Sequence, residues 1–217
     1  MNRLAQTRLH SFISKHPDCG AMREPMAEAF ERLARSFRAG GKLLVCGNGG
    51  SAADGGHIAG ELMKSFLLPR EMPEGLRRKF LAEAGADGEY LAGKLEGALP
   101  VISLAEHTAL MTAVANDTAG DMIFAQQVYG YARPEDCFWG ISTSGNSADV
   151  VYAALTAKAM GLGTIGMTGK AGGRLKDVCG VTICAPAETT AEAQEYHIAV
   201  YHTLCMMLEE EFFGEDR

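Results

Sequence analysis

Short apolar runs alternate with longer amphipathic segments along this chain. Five of the runs have the length of a β-strand, and nearly every position in them is apolar or small: residues 42–47, 99–104, 137–142, 163–169 and 181–186. Continuous apolar character is typical of strands that are buried on both faces of a parallel sheet. The alternation therefore predicts a doubly wound α/β domain, in which helices flank a five-stranded parallel sheet.

The segments between the runs carry the periodicity of amphipathic helices. It predicts helices over residues 2–16, 23–38, 107–115, 121–131, 148–160 and 190–212. The polar pair Asn116-Asp117 breaks the pattern between two of them, and Gly161 follows another as a C-cap.

Residues 67–98 do not fit this alternation. The segment is polar and carries two prolines, with helical periodicity over 74–84 and 88–96. About thirty residues are too few for an independent core. We therefore expect one domain over residues 1–217, with N-terminal helices in 1–40 and an inserted helical hairpin or flap at 67–98. A surface ornament or a subunit contact is the alternative for the insertion.

The charge balance and the cysteines exclude several classes of protein. The net charge is −7 and the basic residues are scattered, so the footprint of a nucleic-acid partner is missing. The six cysteines form no CxxC pair and mostly lie in apolar runs, which favours a reducing, cytoplasmic location. No run approaches about 18 apolar residues and the first twenty lack a signal-peptide core, so we expect no membrane association.

Two strand-to-helix loops have the composition of ligand-binding loops. In a doubly wound sheet, ligands gather at the carboxyl ends of the strands, where both loops fall. Residues 47–51 (GNGGS) offer close backbone approach and a helix start, although a tight turn with Ser51 as N-cap would also explain them. Residues 142–147 (STSGNS) carry four hydroxyls, which suit a phosphate better than a mere N-cap at Ser147 requires.

Acid–base groups follow the first loop and recur near the end of the chain. His57 and Glu61 are four residues apart and share a helix face, as metal-binding or proton-transferring pairs often do, although a surface pair is the alternative. Three glycines around them suggest that another backbone or a ligand presses close. In the last predicted helix, Gln194 and His202 lie on roughly one face, together with His197, which is as readily a packed side chain.

These motifs together resemble a known family. CGNGGS, the His57–Glu61 pair, Asn116-Asp117, ISTSGNS and Gln194 with His202 occur in one order. The set resembles the sugar isomerase (SIS) domain family, and within it the bacterial phosphoheptose isomerases, over about residues 2–66 and 99–212. The resemblance implies a flavodoxin-like SIS fold, a phosphorylated sugar as ligand, zinc as cofactor, and a homotetramer whose site lies between subunits.

The resemblance also assigns roles to residues. It implies that the phosphate is held by Ser142, Thr143, Ser144 and Ser147. Sugar contacts would come from Asn48, Gly49, Gly50, Ser51, Glu61, Asn116, Asp117 and Gln194. Zinc ligands would be His57, Glu61, Gln194 and His202, with Glu61 also acting as the catalytic base and His202 as the catalytic acid.

The implied reaction is an aldose–ketose isomerisation through an enediol, most simply of sedoheptulose 7-phosphate. It needs a base for the C–H proton, an acid for the oxygen and a group that polarises the carbonyl, all present in this residue set. One departure is Ala191, with Glu192 beside it, where similar proteins often carry aspartate. The alternatives are a non-catalytic SIS protein that binds a phosphosugar or a replication initiator, an isomerase of another ketose phosphate, and a structural α/β domain.

Overall fold

The computed structural model describes residues 1–214 of the chain. Within that range the strands are β1 (Leu43–Cys46), β2 (Val101–Ser103), β3 (Cys137–Ile141), β4 (Gly163–Thr168) and β5 (Val181–Cys184). The helices are α1 (Arg3–Lys15), α2 (Arg23–Arg38), α3 (Gly50–Met63), α4 (Glu74–Ala92), α5 (Thr108–Asp117), α6 (Ile123–Tyr131), α7 (Ala148–Ala159), α8 (Gly173–Val178) and α9 (Thr190–Phe213). Each predicted apolar run holds one strand.

The five strands form one parallel sheet in the order β2-β1-β3-β4-β5. This order confirms the doubly wound, flavodoxin-like arrangement, because the chain starts near the middle of the sheet and winds outward in both directions. The carboxyl ends of β1 and β3 are neighbours, so the loops that follow these two strands lie side by side.

Helices cover both faces of the sheet, as the apolar strands require. In β1, Leu43 and Val45 face a core built with α1, α2, α3 and α9. The alternate residues Leu44 and Cys46 face a second core, built with α6 and α7. Because α3 and α9 pack in the same layer, side chains from distant parts of the sequence meet between them.

Two differences from the sequence prediction, in α5 and α8, have local causes. Helix α5 continues through Asn116-Asp117, and the backbone leaves the helical region only at Thr118. The insertion, by contrast, agrees with the prediction of two helical segments: within α4 the backbone leaves the helical region at Gly85, whose φ of 53° only glycine adopts readily, and Gly88 lies against the carbonyl of Phe80. The short α8 was not predicted, because six residues show too little periodicity.

None of the helices in residues 1–214 has the length and apolar content needed to span a membrane.

Candidate active site

The loop of residues 47–51 joins β1 to α3. Gly49 is the residue before the helix and has a φ of 56°, so the N-cap alternative for Ser51 is wrong: Ser51 lies buried inside the first turn. The side-chain amide nitrogen of Asn48 donates to Asp149 and lies 3.0 and 2.9 Å from the two carboxylate oxygens. This contact ties the loop to the first turn of α7, and among the described residues it leaves the side-chain oxygen of Asn48 free to accept a hydrogen bond from a ligand.

The hydroxyl loop, residues 142–147, connects β3 to α7. The Ser142 hydroxyl lies 3.0 Å from the Ser147 hydroxyl and 3.4 Å from that of Ser144, so three of the four hydroxyls form one group. Ser147 occupies the N-cap position of α7 but makes no capping bond with its side chain. The hydroxyls and the positive end of the helix dipole therefore offer the groups that can bind an anion without any basic side chain.

Asn116 and Asp117 lie at the far end of α5. They are exposed and bonded to each other, with 2.8 Å from the Asn116 amide nitrogen to Asp117 Oδ1. Helix α5 begins just beyond β2, and eight residues separate its start from Asn116, or about 12 Å along the axis. Within one chain, this pair is not joined to the other predicted site residues by any hydrogen bond among the described residues.

His57, Glu61 and His202 converge between α3 and α9. The His57 Nε2 atom lies 3.0 Å from Glu61 Oε1 and 3.5 Å from His202 Nε2. One ligand-type atom of each residue lies within 4.8 Å of those of the other two. The structure thus brings together three of the four predicted metal ligands, and we call them the His–Glu–His cluster.

The cluster is open to solvent on one side and buried on the other. The His57 side chain is 45% exposed, whereas that of Glu61 is 14% exposed. Glu61 Oε2 has no hydrogen-bond partner among the described residues, with the Lys64 ammonium 3.7 Å away. Burial lowers the pKa of His202, and the nearby His57 charge lowers it further, while Glu61 opposes both. His202 is therefore held in the neutral form, which can donate N–H or bind a metal.

Gln194 is placed apart from this cluster. Its side chain occupies the space in front of Gly50, where a Cβ atom would collide with it. Gln194 precedes His202 by eight residues of continuous helix, or about 12 Å. Glu192, beside Ala191, accepts from Thr189 in the capping box of α9, so it stabilises the helix start. His197 is fully buried, and neither ring nitrogen finds a partner among the described residues.

Two buried residues support the cluster and were not predicted. The Tyr201 hydroxyl lies 2.8 Å from His57 Nδ1. Burial raises the pKa of Asp54 to about 6, and the nearby charge of His57 opposes this rise. Asp54 precedes His57 by three residues on α3, so the same helical spacing that paired His57 with Glu61 could have found it.

A buried ion pair fixes the end of α3 just beyond Glu61. The Arg70 guanidinium donates to Glu209 Oε1 at 3.0 Å and to the backbone carbonyls of Leu62 and Glu61 at 2.7 and 3.0 Å. Both charged side chains are almost fully buried. The Glu209 carboxylate also accepts from three backbone N–H groups at the start of the insertion, those of residues 66, 67 and 68. No local pattern in the sequence indicated this pair.

Comparison with known proteins assigns this fold and site to a class. The family model of the SIS domain matches residues 83–169. The phosphoheptose isomerase of Francisella tularensis superposes with a TM-score of 0.74 at 27% identity, covering 97% of this chain and 100% of that one. That of Neisseria gonorrhoeae gives 0.72 at 30% identity, covering 96% and 97%. The sheet order and these matches define a SIS-domain protein.

Relatives found by sequence indicate which family of SIS-domain proteins this chain belongs to. The phosphoheptose isomerase of Trichlorobacter lovleyi is 40% identical over 190 residues, which cover 88% of this chain and 84% of that protein. That of Geotalea daltonii is 36% identical over 98% of this chain and 97% of its own length. The chain belongs to the phosphoheptose isomerase family, whose members are sugar-phosphate isomerases, and the family resemblance of its motifs is confirmed.

Proposed function

We propose that this protein converts a ketose phosphate into an aldose phosphate, with sedoheptulose 7-phosphate as the ketose and a heptose 7-phosphate as the product. The observation that carries this proposal is the convergence of Glu61 and His202 beside His57. A phosphosugar-binding protein without catalysis has no need of a carboxylate and two imidazoles around one point. Membership in the phosphoheptose isomerase family supports the choice of sugar.

The reaction moves a proton between two neighbouring carbons through an enediol. Glu61 has a buried carboxylate oxygen without a hydrogen-bond partner, and we assign it as the base that takes the proton from carbon. His202 is neutral and donates its N–H toward the carbonyl oxygen, which becomes a hydroxyl. The proton on Glu61 then returns to the adjacent carbon, while the hydroxyl on the first carbon gives its proton to His202 and becomes the new carbonyl, so both residues end as they began.

The substrate's phosphate and sugar ends would bind in different places. We assign the phosphate to the hydroxyl loop, through Ser142, Thr143, Ser144 and Ser147 and the N-terminus of α7. Residues 48–51 lie next to that loop and are assigned to the sugar, with Asn116, Asp117, Glu61 and Gln194 as the further contacts. This division follows the family resemblance and agrees with the hydrogen bond from Asn48 to Asp149.

The His–Glu–His cluster fits a divalent metal, and we propose zinc. Two imidazoles and a carboxylate, with a fourth position open to solvent, are the usual protein ligands of a catalytic zinc ion. A bound zinc ion would polarise the substrate carbonyl and stabilise the charge that develops on its oxygen. His57, Glu61 and His202 would hold it.

We propose a homotetramer in which a second chain completes the site. Gln194 and the Asn116-Asp117 pair are remote from the His–Glu–His cluster within one chain, and Glu61 lies eleven residues, or about 16 Å, beyond the start of α3. A Cβ atom at Gly60, on the same helix, would meet nothing within 4 Å, so residues 1–214 of its own chain do not supply the expected close neighbour of this glycine. We also propose a cytoplasmic location, because all six cysteines are free.

The test is an assay of the purified protein on sedoheptulose 7-phosphate, with and without added zinc after chelation. We expect turnover to a heptose 7-phosphate, increased by zinc. Binding of the phosphosugar without turnover, in either condition, would establish the non-catalytic alternative. Turnover of only other ketose phosphates would keep the isomerase and change the sugar.

A further inference from the structure

Asp149, in the first turn of α7, contacts the loop of residues 47–51. Its carboxylate is held on its own helix, because Oδ1 accepts from the Val150 backbone N–H at 2.9 Å. Both carboxylate oxygens also lie close to the side-chain nitrogen of Asn48, at 3.0 and 2.9 Å, although the two residues are 101 positions apart in the sequence. The contact therefore joins the segment assigned to the sugar to the helix whose N-terminus is assigned to the phosphate.

The chemistry of a carboxylate decides which way the Asn48 amide is turned. An ionised carboxylate only accepts hydrogen bonds, so the NH₂ group of the amide must face Asp149 and the amide oxygen must face away from it. Among the described residues, hydrogen bonds of the Asn48 side chain go only to Asp149. Asn48 is exposed, so a ligand can reach the free oxygen.

The two ends of a phosphosugar offer opposite hydrogen-bonding groups. A phosphate dianion only accepts hydrogen bonds, whereas the hydroxyls of a sugar also donate them. An asparagine beside the hydroxyl loop could in principle turn its NH₂ group toward the phosphate. With that group engaged by Asp149, Asn48 has only an acceptor to offer, and of the two ends only the sugar can use it.

We propose that Asp149 is a positioning residue, which keeps the NH₂ group of Asn48 away from the phosphate and presents the amide oxygen to a hydroxyl of the sugar. The inference rests on the proposed phosphosugar ligand. It adds the chemistry that this sugar contact requires, a hydroxyl that donates. It also gives a role to a negative charge that otherwise opposes the binding of an anion nearby.

The test uses Asp149→Asn, which keeps the shape of the side chain and replaces the carboxylate by an amide. The new NH₂ group can donate to the Asn48 oxygen, so Asn48 is free to turn its own NH₂ group toward a ligand. Calorimetry gives the dissociation constants of sedoheptulose 7-phosphate and of inorganic phosphate at about pH 8, where both phosphates are mainly dianions. We expect their ratio, phosphosugar over phosphate, to rise about 2–10-fold, as for the loss of one hydrogen bond.

The ratio separates the sugar contact from the effect of charge. Loss of the Asp149 charge should change the affinity for both ligands by a similar factor, because both carry the phosphate, and this factor cancels in the ratio. The measurement is repeated in protein that carries Asn48→Ala. There Asp149→Asn should leave the ratio unchanged, because a positioning residue acts through the side chain that it holds.

Glu24→Gln is the matched control. Glu24 is an exposed carboxylate in the first turn of α2, as Asp149 is a carboxylate in the first turn of α7. Each substitution removes a favourable interaction with a helix dipole, so each should lower stability slightly. Only Asp149→Asn should change the ratio of dissociation constants.

The outcomes separate this inference from the function on which it rests. A ratio in Asp149→Asn within about 1.5-fold of wild type, less than one hydrogen bond is worth, would overturn the inference. So would a rise of the same size in the Asn48→Ala background. If wild type converts sedoheptulose 7-phosphate, either result leaves the isomerase standing. If wild type binds the phosphosugar without converting it, the isomerase falls and the ratio still decides the role of Asp149. Binding of neither ligand would overturn both.

Discussion

The hydroxyl loop and the His–Glu–His cluster are built from the sequence in opposite ways. The loop is one segment of six residues, neutral throughout, and its hydroxyls are hydrogen-bonded to one another. The cluster joins residues 145 positions apart in the sequence and depends on buried charges and hydroxyls behind it. Under the roles proposed above, anion binding is encoded in one segment, whereas proton transfer and metal binding require that two helices be held in register.

The comparison predicts that variants of the cluster lose turnover, whereas variants of the hydroxyl loop lose affinity for the phosphosugar. The largest effect is expected for Glu61→Gln, which keeps the shape of the side chain and removes the base. Turnover should fall by about 10²–10⁴-fold, with binding of the phosphosugar little changed. Glu195→Gln, an exposed position on α9, is the control and should be active. Turnover near that of the control would remove Glu61 from the base role.

The buried support of the cluster should matter for stability. Arg70→Met leaves the Glu209 carboxylate buried without its cation, and we expect a loss of about 3–5 kcal/mol in the free energy of unfolding. Combining it with Glu209→Gln removes the lone charge and should restore part of that loss. Urea denaturation of both variants is the measurement. A loss under about 1 kcal/mol in Arg70→Met would class the pair with weak surface ion pairs.

A loop variant should affect affinity alone. Ser144→Ala removes one of the clustered hydroxyls, and the phosphosugar should bind about 1–3 kcal/mol more weakly, measured by calorimetry. The unfolding midpoint should hardly move. Thr7→Ala is the control, because the Thr7 hydroxyl bonds only to the backbone of its own helix. Equal affinities in Ser144→Ala and wild type would separate the hydroxyl loop from phosphate binding.

Replacing the insertion tests whether residues 67–98 affect the substrate independently of the hydroxyl loop and the cluster. Its ends are fixed near the cluster, since Glu96 accepts from Ser65, and the Arg70 carbonyl accepts from Gly97. A Gly-Ser linker replacing residues 74–92 retains Arg70 and should leave the fold intact. If the segment is a flap over the site, the variant should differ from wild type in its Michaelis constant or in its choice of sugar. Unchanged kinetics on every ketose phosphate tried would show instead that the segment is a surface feature without a role in catalysis.

The smallest effect concerns pH and His197, a buried histidine outside the cluster. Burial lowers the pKa of His197, so the unfolded chain takes up a proton near the ordinary value of about 6.5 while the folded chain does not. Stability is therefore lost as pH falls below about 6.5. His197→Leu removes this proton uptake. In urea denaturation, the free energy of unfolding of the variant should therefore fall less steeply between about pH 7 and 5. Parallel pH profiles of variant and wild type would contradict it.

The two regions also differ in how far the sequence predicted them. The strands, the outer helices and the hydroxyl loop follow from local patterns, because each is decided by neighbouring residues. The His57–Glu61 pair follows from helical spacing, but its meeting with His202 needed the family resemblance. The contacts of Tyr201 and of the Arg70–Glu209 pair form only when α3 packs against α9. In the sequence, Tyr201 is one residue of an apolar helix face and Glu209 is one of a run of glutamates, so neither pattern indicates these contacts.

Helix α9 also determines when, during synthesis of the chain, the His–Glu–His cluster can assemble. Helix α3 contains several glycines, each costing up to about 1 kcal/mol in a helix interior, so it is a weak helix until α9 docks on it. Glu209 leaves the ribosome about 150 residues after Glu61, a delay of roughly 7–30 s at about 5–20 residues per second. Until then the nascent chain carries the hydroxyl loop, to which we assign the phosphate, but Glu61 and His202, the proposed base and acid, are not yet brought together. A partly made chain could thus hold a phosphosugar without transforming it.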